Sequence, residues 1–478
     1  MDGMSPLWKA VLCLTLFAAW RAQVEFRTMT SPSRRPLDCA QRCPCSGQSY
    51  LHGPYGHAGA QPRDPTLAAT ARPLAPGGDY VSVAVGAAAG SGDAGGKASC
   101  LPLAREVGVR AVVGRGANFI VSPLSIHSAL ALVAAGTRGQ TREELLGFLG
   151  SSSLDELHGT PAMELVGKLN GLAQTSFACG VWVDRRQALE SEFMATAASR
   201  YAATAESVDF VQDADQARRR VNAFVADATN SLIRDVLPPL SVDSSTVLVL
   251  ANALYFKGAW SQPFDRSSTF TAPFHVPDGT TVRVPFMTTG RFELKQHIAV
   301  YQGFRALKLP YKNDDGDHTA VFYMLLLLPD DGNSLGLVDL YDKAVAAPDF
   351  MRHHTPAHQV PVGRFMVPKF KFTFEFEASA DMRKLGVARA FQGGDFSGMV
   401  SGGDGLFISG VYHKATIEVD ELGTVAAAAT AVVIGQSASA PRPPVDFVAD
   451  RPFLFAIVEE KTSAVLFVGH VLNPHLAG

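Results

Sequence analysis

The sequence predicts an α+β fold, in which helices come first along the folded part of the chain and strands follow. Three observations lead to this class. Apolar residues recur at helical spacing soon after residue 100, and runs of β-branched and aromatic residues dominate the later part. The third observation is composition: of the 478 residues 47% are hydrophobic and only 18% are charged, so the chain can bury a large core.

Three early helices are predicted from the spacing of apolar residues. Residues 103–113 and 125–135 place apolar side chains three and four positions apart, as one buried helix face requires. Thr141, followed three residues later by Glu144, matches a capping box, so the third helix should begin at Thr141. Farther along, 214–237 has the pattern of one long amphipathic helix or two.

Strand patterns follow, with turn residues between them. Alternation in 416–419 places Ile417 and Val419 on one face of a strand. By contrast, 324–328 is continuously apolar, which is typical of a central strand buried on both faces. The predicted strands cover 246–256, 320–328, 360–376, 415–419, 453–458 and 464–468.

Charge and hydropathy exclude two classes of partner. The 42 Lys and Arg residues nearly balance the 45 Asp and Glu residues, which gives a net charge of −3. This balance offers no basic surface for nucleic acid or for an anionic membrane. No run of 18 or more apolar residues exists, which excludes a multi-spanning membrane protein. We therefore expect no nucleic acid and no membrane as partner.

The chain begins with a signal-like leader. Residues 10–20 are apolar and precede Arg21, which is typical of a leader over residues 1–22. Trp20 stands where signal cleavage prefers a small residue. Two interpretations stay open: a secretory signal on an extracellular protein, or an unprocessed leader on a cytoplasmic one.

A low-complexity stretch separates this leader from the folded part. Residues 23–99 are rich in Gly, Ala, Pro, Ser and Arg, which predicts a flexible extension before a folded domain over 100–478. Gly90, Gly92 and Gly95 spell a dinucleotide-binding motif, but the strand and the acidic residue that such a site needs do not follow.

No metal site, cofactor or enzyme is expected. Three of the six cysteines, Cys39, Cys43 and Cys45, form a cluster without the paired spacing of a zinc site. A nucleophile elbow, an H-E-x-x-H motif and a kinase signature are all missing. The chemistry of a catalytic site is therefore absent from the sequence.

The segment 423–444 does not fit ordinary folding. Helix propensity would place an N-cap at Thr424 before a run of alanines. However, the run ends in small and polar residues and then in a proline cluster, so about 20 residues connect two predicted strands. A connection of this length is rare in a compact domain unless it is functional, and it invites proteolysis.

These residues resemble the serpin family over about 100–478. The motifs that carry the resemblance occur in the family's order, and their details are most similar to plant serpins. They are NFIVSPLSI at 118–126, NALYFKGAW at 252–260, VPKF at 367–370, DFVADRPFLF at 446–455 and VGHVLNP at 468–474.

The resemblance implies a serpin fold of three β-sheets and about nine helices with an exposed reactive-centre loop. It implies a metastable protein that acts as a suicide substrate. A serine protease cleaves the loop and is trapped as an acyl-enzyme when the loop inserts into the main sheet. Papain-like cysteine proteases are a second possible target class. The family also implies a monomer.

The resemblance assigns a hinge and a reactive bond. The bond lies between Ser437 and Ala438, with Gln436–Ser437 as the runner-up. A small uncharged residue there argues against trypsin-like targets and favours proteases with elastase-like or subtilisin-like pockets. Small hinge side chains can slip between strands, and Gly423 tolerates unusual backbone angles. The hinge residues are Glu421, Gly423, Thr424, Ala426, Ala427, Ala428 and Ala429.

A gate in the main sheet is implied by further matching positions. Ser122, Ser125, Asn252 and His413 correspond to the polar cluster that lets the central strands part, and Trp260 corresponds to an aromatic residue in the breach at the top of that sheet. Buried polar groups of this kind must hydrogen-bond with one another, so their rearrangement can act as a switch. The alternative is that they only cap core elements and that Trp260 only packs.

Two hinge positions depart from inhibitory serpins. Leu422 and Val425 stand where acidic residues are common in such members. Side chains alternate along a strand, so Val425 should face away from the inward-pointing Thr424 and Ala426 and should not block insertion. The alternative function is a non-inhibitory serpin that acts as a binding, storage or chaperone-like module. An inactive product is a third hypothesis.

Overall fold

The computed structural model describes residues 100–289, 295–313, 320–331, 336–347, 349–424 and 443–476. The leader over 1–22 and the extension over 23–99 therefore lie outside the described residues. No helix in the described part is long and apolar enough to cross a bilayer.

The described residues contain ten α-helices, of which most lie in the first third of the domain. Each predicted early helix is present within a few residues of its expected position. The helices are α1 (Leu101–Arg110), α2 (Pro123–Gly136), α3 (Gly139–Phe148), α4 (Leu154–His158), α5 (Pro161–Lys168), α6 (Ser191–Tyr201), α7 (Phe210–Ala228), α8 (Leu337–Ala346), α9 (Phe350–His353) and α10 (Ser379–Lys384).

The capping box predicted at Thr141 is wrong. Helix α3 begins two residues earlier, at Gly139, and its predicted capping side chains bind a distant segment instead. The Thr141 hydroxyl accepts a hydrogen bond from the backbone N–H of Asp395 at 3.0 Å. The Glu144 carboxylate accepts bonds from the N–H groups of Ala388 and Arg389. A long-range partner has replaced the local one, which the spacing of residues alone does not reveal.

The helical stretch predicted over 214–237, as one helix or two, also ends early. Helix α7 begins at an Asp209 cap, is interrupted by non-helical backbone angles at Asp213 and ends at Ala228. Asn230 and Ser231 follow with φ of 51° and 61°, a left-handed conformation that an α-helix does not tolerate. The remaining residues up to 247 form a loop that leads into β4.

Nineteen strands follow one another through the described residues. They are β1 (Phe119–Val121), β2 (Thr175–Asp184), β3 (Thr204–Val208), β4 (Leu248–Phe256), β5 (Gly258–Ala259), β6 (Phe270–His275), β7 (Thr281–Met287), β8 (Lys295–Tyr301), β9 (Phe304–Pro310), β10 (Phe322–Pro329), β11 (Val360–Pro368), β12 (Phe370–Glu377), β13 (Gly394–Asp395), β14 (Asp404–Leu406), β15 (Gly410–Val419), β16 (Gly423–Thr424), β17 (Val445–Val448), β18 (Phe453–Glu459) and β19 (Val465–Val471).

These strands form three sheets. The main sheet has the order β3-β2-β4-β15-β16-β5, with β12 on the other edge of β15. A ten-stranded sheet has the order β1-β19-β18-β10-β9-β8-β11-β7-β6, with β17 beside β11. Strands β13 and β14 form a small hairpin sheet. Three sheets with ten helices confirm the predicted α+β class.

This topology changes one strand prediction and agrees with another. The predicted strand over 360–376 is two strands in different sheets, because β11 ends at Pro368 and β12 begins at Phe370. The apolar run 324–328 lies in β10, which is buried along its whole length between β9 and β18, as a central strand should be.

The main sheet is covered on both faces. Helix α7 packs Val221 and Val225 on one face, against residues such as Trp182 of β2 and Tyr255 of β4. Helix α2 lies on the other face and is buried almost completely, since all but one of its residues are buried. The candidate site lies in this sheet, between β4 and β15.

Candidate functional site

Strands β4 and β15 are parallel neighbours at the centre of the main sheet. Their ladder joins residues 249–253 with residues 410–414. Farther along β15, Val419 pairs with Thr424 of β16 instead. Strand β16 also pairs with β5, which follows β4 after one residue. The two central strands therefore pair directly at one end, and the short strand β16 enters between them at the other.

A tight turn directs the chain into this position. The Asp420 carboxylate accepts hydrogen bonds from the N–H groups of Leu422 and Gly423, at 2.8 and 3.2 Å. The Thr424 side chain is buried, and its hydroxyl shares a 2.7 Å hydrogen bond with the Tyr311 hydroxyl. Thr424 is thus held inside the sheet as the second residue of β16.

Gly423 is required here by a close backbone approach. Its φ is +156°, and an added Cβ would overlap the carbonyl oxygen of Gly258 in β5. The predicted role of this glycine was backbone freedom. The structure adds a steric reason, because no side chain fits between β16 and β5.

Glu421, the first predicted hinge residue, is held by an ion pair. Its carboxylate is buried and accepts hydrogen bonds from Lys369 Nζ and from the Thr269 hydroxyl, both at 2.8 Å. Burial alone would raise the pKa of this carboxyl, but the bonds from Lys369 and Thr269 outweigh that effect and hold the pKa below its ordinary value. Glu421 is therefore a charged anchor beneath the turn.

Trp260 lies at the same end of the sheet. Its indole N–H donates to the backbone oxygen of Asp420 at 2.9 Å, and its ring stacks on Tyr311 with centroids 4.6 Å apart. Its backbone N–H donates to the carbonyl oxygen of Leu422 at 2.9 Å. Trp260 therefore does more than pack, since it holds the turn that precedes β16.

The four predicted gate residues form one buried cluster. Asn252 and His413 face each other across the β4–β15 ladder, and His413 Nδ1 lies 2.7 Å from Asn252 Oδ1. The same Oδ1 accepts a 2.6 Å hydrogen bond from the Ser125 hydroxyl. His413 Nε2 accepts one from the backbone N–H of Ser122 at 3.1 Å. The cluster thus joins β4, β15 and the start of α2.

His413 is neutral in this cluster. Burial lowers its pKa to about 3, so the ring carries one proton at neutral pH. The proton belongs on Nδ1, because Nδ1 faces the acceptor oxygen of Asn252 whereas Nε2 faces a donor N–H. The role of the cluster as a switch stays a prediction.

Several residues of the site were missed from the sequence. Tyr311, Lys369 and Thr269 each bind a hinge residue, and Asp420 shapes the turn. Lys369 stands inside the VPKF motif, which was a usable signal, whereas nothing in the local sequence marks Tyr311 or Thr269. The predicted positions that lie outside the described residues are Val425, Ala426, Ala427, Ala428, Ala429, Gln436, Ser437 and Ala438.

Comparisons with known proteins agree with this geometry. The family model described as Serpin (serine protease inhibitor) matches residues 100–474. The chain is 67% identical to putative serpin-Z12 of Oryza sativa subsp. japonica over 387 residues, which cover 79% of this chain and 91% of that protein. It is 46% identical to serpin-ZXA of the same organism over 374 residues, or 76% and 92% of the two chains.

A solved structure gives the same result. The native stressed conformation of Arabidopsis AtSerpin1 aligns with a TM-score of 0.68 at 38% identity, over 78% of this chain and 95% of that one. Family model, plant relatives and fold lead to one conclusion. The chain belongs to the serpin family, whose members are typically serine protease inhibitors and not enzymes.

Proposed function

We propose that this serpin is an inhibitor that traps its protease by inserting the cleaved reactive loop into the main sheet. The observation that carries the proposal is the position of β16 between β15 and β5, while β4 and β15 still pair directly beyond it. The sheet is thus open at the end where the loop begins and closed along the path that an inserting strand would take.

Strand direction favours this insertion. Strand β16 runs antiparallel to β15 and to β5. Because β4 is parallel to β15, a strand that continues from Thr424 into the gap runs antiparallel to both neighbours. Insertion therefore exchanges one parallel ladder for two antiparallel ladders, which are slightly more stable per residue. The gain in pairing drives the trap.

The covalent step starts from the bond between Ser437 and Ala438. The hydroxyl oxygen of the protease serine attacks the Ser437 carbonyl carbon, and the C–N bond to Ala438 breaks. The amine of Ala438 leaves with a proton, and an ester joins Ser437 to the protease. Insertion then carries the ester away before water hydrolyses it. No cofactor or metal takes part in these steps.

The target class follows from the residue before the scissile bond. Ser437 is small and uncharged, so it cannot form an ion pair with the buried carboxylate in the specificity pocket of a trypsin-like protease. Serine proteases with elastase-like or subtilisin-like pockets are the proposed partners. Papain-like cysteine proteases are a second target class, because a thioester can be carried away in the same manner.

The test is to mix the full chain with one protease of each kind and to run a denaturing gel. Trapping predicts a stable complex and a released C-terminal peptide whose mass places its N-terminus at Ala438, or at Ser437 for the runner-up bond. Ala426→Arg should abolish the complex, because a long charged side chain would point into the sheet. Val425→Arg is the matched control and should still trap, since alternation along an inserted strand would place its side chain on the outward face.

Two outcomes contradict the proposal. One is a panel of proteases that only nick the loop, with no rise in heat stability after nicking. In that case the non-inhibitory alternative, a binding, storage or chaperone-like module, takes its place. The other is undiminished trapping by the Ala426→Arg variant, which would show that insertion of the hinge is not needed.

A further inference from the structure

A pocket of about 470 Å³ lies between the β6–β7 hairpin and strand β11. One wall is formed by Phe270, Ala272 and Pro273 of β6, and another by residues 363–366 of β11. Ligand pockets in proteins commonly enclose about 300–1,000 Å³. The pocket is therefore large enough for a small organic molecule, and it shares no residue with the gate cluster in the main sheet.

The walls of this pocket are largely apolar. Phe365 is buried, and its ring stacks on Phe264 with centroids 5.9 Å apart. Met366 is also buried, whereas Phe270 is 46% exposed and offers an aromatic surface to solvent. Covering exposed apolar surface is favourable, so the pocket favours a ligand with an apolar body.

Backbone pairing fixes both walls. Strand β6 pairs with β7 along its whole length, and Phe365 and Met366 of β11 pair with β17. At the end of β6, the His275 N–H donates to the carbonyl oxygen of Asp450 at 2.7 Å. Because these bonds already hold the walls in place, a ligand can bind with little reorganisation of the protein.

Arg364 supplies a positive charge at this pocket. Its side chain lies over a lining residue, with Nη2 3.9 Å from the Met366 sulfur, and it forms no ion pair with any carboxylate of the described residues. The acidic residue of the lining, Asp450, is itself paired with Arg451 at 2.8 Å. A guanidinium presents a planar fork of N–H donors that fits a carboxylate. The charge of Arg364 therefore favours an anionic ligand.

We propose that this pocket binds a small apolar carboxylate, such as an aryl-substituted fatty acid. The apolar body lies against Phe270 and Phe365, and the carboxylate accepts hydrogen bonds from the Arg364 guanidinium. Arg364 is exposed, so solvent weakens the ion pair. The apolar contact therefore supplies most of the affinity, and the ion pair selects acids over neutral analogues. This inference does not depend on the proposed trapping of a protease.

The test titrates the full-length protein with phenylbutyrate, and with phenylbutyramide as the matched neutral ligand, by ligand-observed NMR. The wild type should bind the acid with a Kd of about 1 mM or tighter, as ligands of this size allow. It should bind the amide about two- to tenfold more weakly. Arg364→Gln should remove that difference by weakening the acid alone, whereas Phe270→Ser should weaken both ligands.

Arg234→Gln is the control for the loss of a surface arginine, since Arg234 is exposed in the loop after α7 and does not line the pocket. This variant should bind both ligands as the wild type does. Arg364 and Phe270 are exposed, so their substitution should leave the melting temperature unchanged.

Three results overturn the proposal. The first is no detectable binding of the acid at ten times the expected Kd. The second is equal affinity of the wild type for the acid and the amide. The third is binding that survives both pocket substitutions, which would place the ligand elsewhere on the protein. The first two are measured on the wild type and do not require that any variant folds.

Discussion

The Tyr412 hydroxyl donates a 2.9 Å hydrogen bond to the backbone oxygen of Ser241. Tyr412 belongs to β15, and Ser241 belongs to the loop between α7 and β4. The bond lies on the face of the main sheet that α7 covers, whereas the neighbouring His413 points to the opposite face. Strand β15 is therefore tied to the loop that precedes β4 on one face of the sheet and to β4 itself on the other.

Removing this tie should weaken the intact protein. Tyr412→Phe loses one hydrogen bond, which is worth about 1 kcal/mol of unfolding free energy. It should also speed spontaneous loop insertion, because β15 is freed on one face. Urea unfolding and the rate of conversion to a more heat-stable form at 45 °C would measure the two effects, with the temperature chosen near the lower end of roughly 45–65 °C, where mesophile domains melt.

Tyr255→Phe is the matched control for that variant. Tyr255 lies on β4 within the same small core beneath α7, but its hydroxyl has no hydrogen-bond partner among the described residues. Its removal should cost nothing measurable. Equal effects of the two variants would contradict a specific tie between Tyr412 and Ser241.

Glu421→Gln should destabilise the intact protein by ~1–2 kcal/mol. The substitution removes the buried carboxylate charge that pairs with Lys369. The Lys369 side chain is about one third exposed, so solvent screening makes the loss of stability smaller than it would be for a fully buried ion pair. Glu418→Gln is the control, since its pair with Lys371 lies at the surface. Thermal melts of both variants at pH 7 would show whether only the hinge pair matters.

The contribution of Glu421 should also depend on pH. Its pKa in the folded protein lies below the ordinary value of 4.5. The carboxylate therefore stabilises the fold above pH 4.5, and this stabilisation is lost as the pH falls through the lower folded pKa. The difference between Glu421→Gln and wild type should shrink in acid, and a difference that grows in acid would reverse the assigned sign.

Buried histidines should make the protein sensitive to mild acid. Burial lowers the pKa of His127 and of His470 to about 4, and that of His413 to about 3. The unfolded chain takes up these protons near pH 6.5, whereas the folded chain resists until the pH approaches the lowered values. Stability is therefore complete above pH 6.5 and falls as the pH decreases below it, by up to about 1.4 kcal/mol per pH unit for each histidine.

His127→Phe isolates one of these contributions. Neither ring nitrogen of His127 has a hydrogen-bond partner among the described residues, so the substitution breaks no such bond. Between pH 5 and 6, the slope of unfolding free energy against pH should decrease by the contribution of about one bound proton. The stability at pH 8 should change little or rise. An unchanged slope from urea unfolding across this range would show that His127 does not stay neutral in the fold.

Gly423→Ala should destabilise the native protein by about 1–3 kcal/mol, because its Cβ has no space beside the Gly258 carbonyl. Gly147→Ala in α3 is the control, since nothing lies near its added Cβ and alanine favours a helix. That control should gain up to about 1 kcal/mol. Differential scanning calorimetry of both variants would separate a local clash from a general effect of removing glycine.

Much of the fold was predictable because it is local. The spacing of apolar residues predicted α2, and the continuous apolar run at 324–328 predicted a strand buried on both faces, which is β10. The errors arose where residues distant in the sequence determined the local structure. Glu144 caps the backbone at 388–389 instead of its own helix, and a change of sheet at Lys369 splits one predicted strand into two.

The sequence by itself determined the family, the order of helices and strands, and the identity of the polar residues that meet beneath the sheet. Only the tertiary structure decided which of them touch. Asn252 and His413 are 161 residues apart and meet because β4 and β15 adopt one register. Hydrogen bonds form only within about 3 Å, so a shift of one residue in that register would separate them. The sequence determines which polar side chains are present, and the register of the strands determines which of them form hydrogen bonds.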